Sequence, residues 1–562
     1  MNRTSTDGAA PVVIVGGGPT GMTAAILLAQ HGLPVMILER HAVPYPHPRA
    51  VHLDDEVHRI LQQVGIAPAF ARISRPGSGL RVLDAEHRVL AEFPRPAEGP
   101  HGYPQANMFD QPDLERLLRD RLATHHPDVT FRRGVEVTDV GTSDPDADTA
   151  AARPGPPMVT FRNAEAPDGP IQQVIASAVL GCDGASSVVR ERIGGRWQDL
   201  GFEQRWLVVD GRCARPLTRW DGVDQIADPR RAVTFMRVGD DRYRWEFRLR
   251  PDEDEDTFRA PERLDQLLSP WIADRTEDDF RLVRSASYTF RARVARGWRH
   301  GRILLLGDAA HLTPPFIGQG LGAGLRDASN LVWKLARVLT DQAPESLLDS
   351  YEQERSRHVV QQIRMARMVG WALTGDDDRA DGRQGGVAAA LRRTALRTAF
   401  RVPGLTQRVL DRGSPALRGS ELTAGRRPYG PRSLIGTLVP QPDVAERASR
   451  RALDEILGRR TAVLTLTAPD AELLALSVRI DARVLYIAGG SQRGRSPTPG
   501  MRTIDGDGAL ARWLDDAGAS AAIVRPDRVV IAVARSPTRP GRELSASPAC
   551  EALVTARDHS PV

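Results

Sequence analysis

The chain has 562 residues, 41% of them hydrophobic and 26% charged, with a formal net charge of +5. These values are typical of a globular protein with more than one domain. Basic residues form no stripe with interleaved aromatic residues, so a nucleic-acid-binding protein is not expected. No apolar run reaches the roughly 18 residues of a membrane span, so membrane insertion is not expected either.

The three cysteines, Cys182, Cys213 and Cys550, lie far apart in the sequence. They form no C-x-x-C pair, which argues against a metal site and against a disulfide framework. The N-terminal residues also lack the basic and apolar segments of a signal peptide. These features predict a protein of the reducing cytoplasm.

The first informative stretch is a short β-branched run at 12–15, typical of a buried strand, followed by a G-x-G-x-x-G turn at Gly16, Gly18 and Gly21. A helical pattern and a second apolar strand follow, and Glu39 and Arg40 end that strand. In such a unit the first glycine permits a tight turn, the second lets the backbone approach a pyrophosphate, and the third allows close packing of helix on strand. This spacing predicts a dinucleotide site. The alternative is a glycine turn in a nucleotide-free α/β domain.

A second strand-to-helix turn follows the apolar run that ends near residue 181. It contains Asp183 and Gly184, then Ser187 and Arg190 at helical spacing. From residue 206 to 250, β-forming and polar residues alternate. That alternation predicts an antiparallel sheet with one face towards a cavity.

A third turn begins where the apolar strand at 303–306 ends, at Gly307 and Asp308. A loop rich in proline and glycine follows and leads into a helix that continues through Leu335. This is a second nucleotide-type turn, far along the chain from the first. One dinucleotide held at two distant points suits a large cofactor such as FAD better than a nicotinamide alone.

Taken in this order, the three turns resemble those of the FAD-dependent aromatic hydroxylases, the single-component flavoprotein monooxygenases. Arg49-Ala50, the run Leu53-Asp54-Asp55-Glu56, and Arg525-Pro526-Asp527 near the C-terminus resemble one branch, the 3-(3-hydroxyphenyl)propionate hydroxylase and phenol hydroxylase group. The resemblance covers almost the whole chain.

The resemblance implies an α/β fold with a Rossmann-like FAD-binding domain, an inserted antiparallel-sheet substrate domain and a C-terminal thioredoxin-like α/β domain. The expected division is FAD-binding domain at 1–185 and 281–370, substrate domain at 186–280, a helical or linker region at 371–450 and the thioredoxin-like domain at 451–562. Because the chain has no C-x-x-C pair, that last domain is expected to have a structural or oligomerisation role, and a homodimer is one option.

The resemblance also implies the site residues. Those expected to bind FAD are Gly16, Gly18, Gly21, Glu39, Arg40, Arg49, Gln111, Asp183, Arg190, Asp308, Pro315, Gly318, Gly320 and Leu321. Asp54 and Tyr288 are the candidates for activating a phenol, since hydroxyl transfer requires an electron-rich ring. Two alternatives stay open: Asp54 as a helix N-cap and Arg49 as a solvated loop residue. His311 is expected to be a structural residue at the strand end.

With a single G-x-G-x-x-G, no second Rossmann unit is visible for NADH or NADPH, and the family docks the nicotinamide transiently. Reduced FAD then reacts with O2 to give a C4a-hydroperoxyflavin, which must be protected from water. Backbone N–H groups near Gly320 are suited to stabilise negative charge on the flavin. Phe235, Met236, Trp245 and Phe247 are candidates to line an apolar substrate cavity, and each is equally compatible with a simple core position.

Three other functions compete with hydroxylation of a small phenol. A flavin halogenase would need a catalytic lysine, and the only lysine, Lys334, lies within a predicted helix. A tailoring oxygenase of secondary metabolism, acting on polycyclic aromatics or by Baeyer–Villiger chemistry, would use the same motifs. A non-catalytic FAD-binding protein is the rival from another class. No metal is expected, and the predicted partners are a small aromatic substrate, O2 and NADH or NADPH.

Overall fold

The computed structural model describes residues 9–46, 49–142, 155–228, 230–254, 256–258, 260–272, 279–340, 342–374, 414–424, 433–446, 449–488, 502–506 and 508–554. Most of the predicted linker region and the C-terminal end of the chain lie outside these ranges. The described part contains no helix long and apolar enough to cross a membrane. It also contains no cluster of His, Cys, Asp or Glu that could hold a metal ion.

The first domain is built on a six-stranded sheet, here called the nucleotide sheet. Its strands lie in the spatial order Arg299–His300, Ile303–Leu305, Ala178–Gly181, Val12–Val15, Val35–Glu39 and Thr130–Arg133. All neighbours are parallel except the first pair. The central strands are buried apolar runs, as expected of a parallel sheet covered on both faces. All three glycine turns predicted from the sequence therefore leave one sheet at the carboxyl ends of its strands, where such folds bind ligands.

Helices cover this sheet and two small sheets extend it. The helices of the first 374 residues are Pro19–Gln30, Asp55–Val64, Ala67–Ile73, Gln111–His125, Val188–Arg192, Pro261–Ile272, Gly320–Leu339 and Asp349–Thr374. One small sheet contains Gln172–Ile175, Pro157–Asn163 and Val135–Thr142, and the other His52–Leu53, Asn107–Phe109 and Ser74–Pro76.

An eight-stranded, mainly antiparallel sheet forms the second domain, in the region expected to bind substrate. In spatial order its strands are His311–Leu312, Phe280–Arg296, Arg196–Cys213, Arg242–Arg248, Val233–Arg237, Val223–Ile226, Gly79–Leu83 and Val89–Pro94. The antiparallel sheet predicted for 206–250 is therefore present. The boundaries predicted at 186 and 280 do not coincide with it, because residues 79–94 and 280–296 also supply strands.

The two faces of this sheet are buried for different reasons. Alternate residues such as Leu207, Phe235, Trp245 and Phe247 pack in a core with the helix Pro261–Ile272. The intervening residues, such as Trp206 and Met236, line a cavity that faces the nucleotide sheet. Since side chains alternate along a strand, each strand contributes to both environments.

The C-terminal domain contains a seven-stranded sheet in the order Ser449–Ala452, Asp443–Glu446, Arg502–Gly506, Ala482–Ala488, Thr461–Thr465, Ala521–Val524 and Val530–Ala534. Its helices are Leu453–Leu457, Ala471–Arg479, Ala509–Asp516, Pro540–Ser545 and Pro548–Glu551. A parallel β-α-β unit is followed by an antiparallel hairpin and a helix. This topology is consistent with a thioredoxin-like domain, and that assignment stays a prediction.

Buried ion pairs attach the C-terminal domain to the helices of the first domain. Arg525 forms ion pairs with Glu354 at 2.7 Å and with Asp527 at 2.6 Å, and Glu354 also accepts from Lys334 at 3.0 Å. Burial alone would raise the pKa of Glu354, but the charges of Arg525 and Lys334 outweigh it and hold that pKa below its usual range. Removing one partner of such a buried network leaves an uncompensated charge and typically costs about 3–5 kcal/mol. The C-terminal domain is therefore an integral part of the described structure.

Candidate active site at the carboxyl ends of the nucleotide sheet

A cavity of about 980 Å³ lies between the nucleotide sheet and the cavity face of the eight-stranded sheet. This is at the upper end of the range for small-molecule sites. Most of the predicted cofactor-binding residues line it: Gly16, Gly18, Glu39, Arg40, Arg49, Gln111, Asp183, Asp308, Pro315, Gly318, Gly320 and Leu321. Two, Gly21 and Arg190, do not.

At the first turn the three glycines have three different environments. Gly16 has a φ of +104°, and a Cβ there would lie 2.4 Å from the carbonyl oxygen of Cys182. A Cβ on Gly21 would lie 2.1 Å from the carbonyl oxygen of Gly16, whereas a Cβ on Gly18 would meet nothing within 4 Å. The outer two glycines therefore permit the tight turn and the close packing of helix on strand, and Gly18 leaves backbone open to the cavity.

Glu39 stands at the end of the second strand with both carboxylate oxygens engaged. One accepts from the backbone N–H of Gly17 at 2.7 Å and the other from that of His41 at 2.8 Å. Each oxygen keeps acceptor capacity beyond these bonds, and the residue lines the cavity together with Arg40. The position is suited to accept hydrogen bonds from a ribose.

Asp183 and Arg190 of the second turn have different roles in the structure. The Asp183 carboxylate accepts from the Ser187 hydroxyl at 2.5 Å and from the backbone N–H of Val189 at 3.1 Å, and faces the cavity. Arg190 lies behind it, buried, and its guanidinium donates to the carbonyl oxygens of Ala185 and Ala309, each at 3.1 Å. These two hydrogen bonds link the second turn to the third. Arg190 does not line the cavity, so the geometry does not support its direct contact with a cofactor.

At the third turn the Asp308 side chain is exposed to the cavity. The cavity itself lies deep within the protein. Burial raises the pKa of its carboxyl above the usual value, while the nearby His311 and Arg49 oppose that shift. Arg49 is exposed, with its guanidinium 5.1 Å from the centre of the Tyr45 ring. Its position in the cavity favours the ligand role over that of a solvated loop residue.

Gln111 begins the helix Gln111–His125 and fixes the loop that carries Arg49. Its side-chain oxygen accepts from the backbone N–H of Ala50 at 2.7 Å, and its amide nitrogen donates to Glu115 at 2.8 Å. His311 lies outside the cavity lining and contacts Asp327 at 2.7 Å, fully buried. This agrees with the structural role expected for His311.

The helix Gly320–Leu339 points its N-terminus at the cavity. Gly318, with a φ of +62°, turns the chain just before the helix begins, and a Cβ on Gly320 would meet nothing within 4 Å. The N-terminus of a helix carries partial positive charge and free N–H groups, which suits an anionic group. Two helix N-termini, at Gly18 and Gly320, therefore open into one cavity.

The two predicted catalytic residues lie in different places. Tyr288 lines the cavity, and its hydroxyl accepts a hydrogen bond from Arg284. Burial raises the pKa of Tyr288, so its hydroxyl keeps its proton near neutral pH.

Asp54 is not among the lining residues. Its carboxylate accepts from the backbone N–H of Val57 at 2.9 Å and from Arg326 at 2.5 Å. The helix cap, the alternative noted from the sequence, is what the structure shows. A catalytic role for Asp54 has no geometric support.

The predicted apolar lining was mostly wrong. Of the four candidates, only Met236 lines the cavity, whereas Phe235, Trp245 and Phe247 belong to the core on the other face of the sheet. The lining residues that the sequence interpretation missed include Trp206, Gln225, Thr234, Arg244, Glu246 and Phe290. Strand alternation could have grouped them, but it could not say which set faces the cavity.

Lys334 has no access to the cavity. It is fully buried and donates to Asn330 at 2.8 Å and to Glu354 at 3.0 Å. Burial lowers its pKa to about 8, against the opposing effect of Glu354. This setting agrees with the sequence argument against a halogenase.

Comparison with known proteins decides the family. A family model described as FAD binding domain matches residues 9–366, and a model described as HcaD C-terminal domain matches residues 436–545. A 3-(3-hydroxy-phenyl)propionate/3-hydroxycinnamic acid hydroxylase of Burkholderia cenocepacia is 34% identical over 550 residues, covering 94% of each chain. The chain belongs to the FAD-dependent aromatic hydroxylases. It is therefore an enzyme whose cofactor is FAD.

Two further comparisons place this hydroxylase among its relatives. A probable NADH-specific resorcinol 4-hydroxylase of Rhodococcus jostii is 34% identical over 530 residues, covering 94% of this chain and 92% of that protein. The solved structure of the flavin-dependent monooxygenase PieE with FAD and substrate superposes with a TM-score of 0.77 at 20% identity, covering 98% and 100% of the two chains. At that identity the structural match establishes the fold alone.

The geometry fits FAD on observations from this chain. The backbone at Gly18 and Gly320 is open to the cavity, two helix N-termini point into it, and Asp308 faces it without a hydrogen-bonded partner among the described residues. An extended dinucleotide with an anionic pyrophosphate and hydroxyl-bearing linkers would satisfy these groups.

Proposed function

We propose that this protein hydroxylates a small phenolic compound, using NADH or NADPH and O2, with the ring bound against the cavity face of the eight-stranded sheet. One observation carries the proposal. A single cavity runs from the glycine turn at Gly16, past Asp308 and the helix N-terminus at Gly320, to the sheet residues Met236 and Trp206. Cofactor and aromatic ring would thus share one cavity.

FAD, when bound, would pass electrons from the nicotinamide to O2, so that one atom of that O2 can be transferred to the ring. The protein contributes the surroundings of that chemistry. N–H groups in the first turn of the helix Gly320–Leu339 favour negative charge beside them. The buried rings of Trp206 and Phe316, whose centres lie 5.8 Å apart, give the sheet end an apolar wall that disfavours water.

The whole-length relatives support a small aromatic substrate. Both are named as hydroxylases of single-ring phenols and match almost the entire chain at 34% identity. The aklavinone-11 hydroxylase structure, by contrast, is 21% identical, with a TM-score of 0.75, and contributes the fold alone. We therefore favour a phenol over the polycyclic substrate of a tailoring oxygenase.

The test is the stoichiometry of turnover by the FAD-loaded enzyme. A phenolic substrate should accelerate NADH or NADPH oxidation and give an equivalent amount of ring-hydroxylated product. A reaction without phenol serves as the control for uncoupled oxidation. Nicotinamide oxidation that yields only hydrogen peroxide across a panel of phenols would contradict the proposal.

A further inference from the structure

Three polar side chains lie in a row on the cavity face of the eight-stranded sheet. Thr234 pairs directly with Gln225 on one neighbouring strand and with Glu246 on the other. All three are buried, and all three line the cavity. We call Gln225, Thr234 and Glu246 the polar row. Directly opposed residues on adjacent strands have Cβ atoms about 5 Å apart, so one aromatic ring with two substituents can reach two members.

Gln225 presents an unsatisfied acceptor. Its amide nitrogen donates to the carbonyl oxygen of Phe316 at 3.0 Å, while its side-chain oxygen has no partner, although the residue is only 2% exposed. The Phe316 carbonyl can only accept, so the amide orientation is fixed and the oxygen is left for another group. A buried acceptor without a donor carries a free-energy cost. A substrate hydroxyl would remove that cost.

The contact with Phe316 also places the row beside the cofactor end. Phe316 belongs to the short 3-10 helix Pro315–Ile317, immediately before the helix that begins at Gly320. Groups bound by the polar row therefore lie next to the loop that contains Pro315 and Gly318, two of the residues expected to hold FAD. A ring bound here would be placed to receive an oxygen atom.

Glu246 makes the row unsuited to a substrate carboxylate. It is buried, and burial raises the pKa of its carboxyl. The cation nearest to it, Arg244, is 3.9 Å away and is already neutralised by both oxygens of Asp210, at 2.8 and 3.0 Å. A second carboxylate here would meet like charge or would have to take up a proton.

Apolar side chains form much of the wall around the row. Val82, Trp206, Val223, Met236 and Phe290 line the cavity around the row. These apolar walls suit the faces of an aromatic ring and disfavour a charged group packed against them.

We propose that the polar row binds the hydroxyl groups of an uncharged aromatic ring that carries two or more hydroxyls, and that it disfavours rings with a carboxylate side chain. This inference rests on the proposed function and narrows its substrate class. Gln225 and Glu246 are then specificity-determining residues.

The test is calorimetric titration of the oxidised, FAD-loaded enzyme without nicotinamide. The two probes are resorcinol and 3-(3-hydroxyphenyl)propionate. We expect resorcinol to bind at least about 10-fold more tightly, a ratio that corresponds to ~1.4 kcal/mol. Equal or tighter binding of the propionate would overturn the inference. Arg95, a cation in the cavity lining, would then be the candidate partner of its carboxylate.

Variants test the assignment to these side chains. Gln225→Leu should weaken resorcinol binding about 3- to 10-fold by removing one hydrogen bond, with unchanged FAD content. Glu246→Gln should reduce the ratio between the affinity for resorcinol and the affinity for the propionate. If the leucine variant folds poorly, Thr234→Val, which keeps the side-chain shape, should still weaken resorcinol binding.

The matched control is Glu92→Gln, the same chemical change at an exposed position of the same sheet. It should leave both affinities unchanged. Affinities that are unaffected in all three polar-row variants would overturn the inference.

The two proposals fail in different ways. Binding is measured without turnover, so a protein that binds resorcinol through the polar row but makes no hydroxylated product contradicts only the proposed function. Efficient hydroxylation of the propionate, with tighter binding than resorcinol, contradicts only the inference about the polar row.

Discussion

The two ends of the cavity are built in different ways. The cofactor end is built mainly on backbone, with glycine turns at Gly16 and Gly318 and helix N-termini at Gly18 and Gly320, and a few side chains such as Asp308 add to it. The substrate end consists of side chains on alternate positions of strands, such as Gln225 and Glu246. Backbone sites constrain which residue types can be present, whereas a sheet face accepts many. The cofactor end therefore determines the chemistry and the substrate end the choice of ring.

The largest effects should come from glycines of the cofactor end. Gly21→Ala should lower the melting temperature sharply and yield protein without flavin, because its Cβ would lie 2.1 Å from the Gly16 carbonyl oxygen. Gly18→Ala has open space around its Cβ, so it should keep the melting temperature of the flavin-free protein and lose FAD affinity. Thermal melts with and without added FAD separate the two. A Gly21→Ala variant that retains stoichiometric flavin would show that this turn is not a tight packing contact.

Asp308→Ala should weaken FAD binding next most strongly. A hydrogen bond that involves a charged group contributes about 1.5–3 kcal/mol, so we expect a loss of roughly 10- to 100-fold. The measurement is flavin retained on gel filtration, followed by titration of the apoprotein with FAD. Undiminished flavin content would remove Asp308 from the cofactor end.

Asp54 lies at neither end of the cavity, and its substitution distinguishes a structural role from a catalytic one. Asp54→Ala removes both a helix cap and the partner of buried Arg326, and should cost about 2–4 kcal/mol of stability. Asp54→Asn can still cap the helix, so it should be less destabilising and should keep the rate of phenol hydroxylation per bound flavin. An Asn variant that is folded, fully flavinated and inactive would restore the catalytic role considered from the sequence.

The smallest effect concerns the neighbouring Asp55, where burial and the adjacent Asp54 and Glu56 raise the pKa to about 7. At Asp54, burial is outweighed by Arg326, and the pKa is lowered to about 2. Because the folded state holds the Asp55 proton more tightly than the unfolded state, stability is lost as pH rises from about 4 to 7.

Asp55→Asn should therefore be more stable than the wild type at pH 8, by on the order of 2 kcal/mol, and the gain should vanish near pH 4. Denaturant unfolding at both pH values measures it. A gain that is the same at pH 4 and pH 8 would show that Asp55 does not hold its proton.

The contrast between the two ends also explains what could be predicted. The glycine turns were identifiable because close packing and positive φ permit few residue types there. Glu39 and Asp308 were identifiable from their positions at or just after the ends of predicted strands. The polar row was missed because both faces of the sheet are buried, so Phe235 and Met236 are equally apolar and only the register decides which faces the cavity. Arg190 was predicted to bind the cofactor, but the structure places it behind Asp183. Its buried hydrogen bond to the carbonyl oxygen of Ala309, which is distant in the sequence, leaves no local signal.

The most direct test of this account follows the transferred oxygen. FAD-loaded enzyme is supplied with NADH, resorcinol and isotopically labelled O2, and the products are analysed by mass spectrometry. We predict a hydroxylated ring that carries one labelled oxygen atom, in an amount that matches the NADH oxidised. Labelled peroxide with unmodified resorcinol, although resorcinol binds, would contradict the claim that cofactor and ring meet in this cavity.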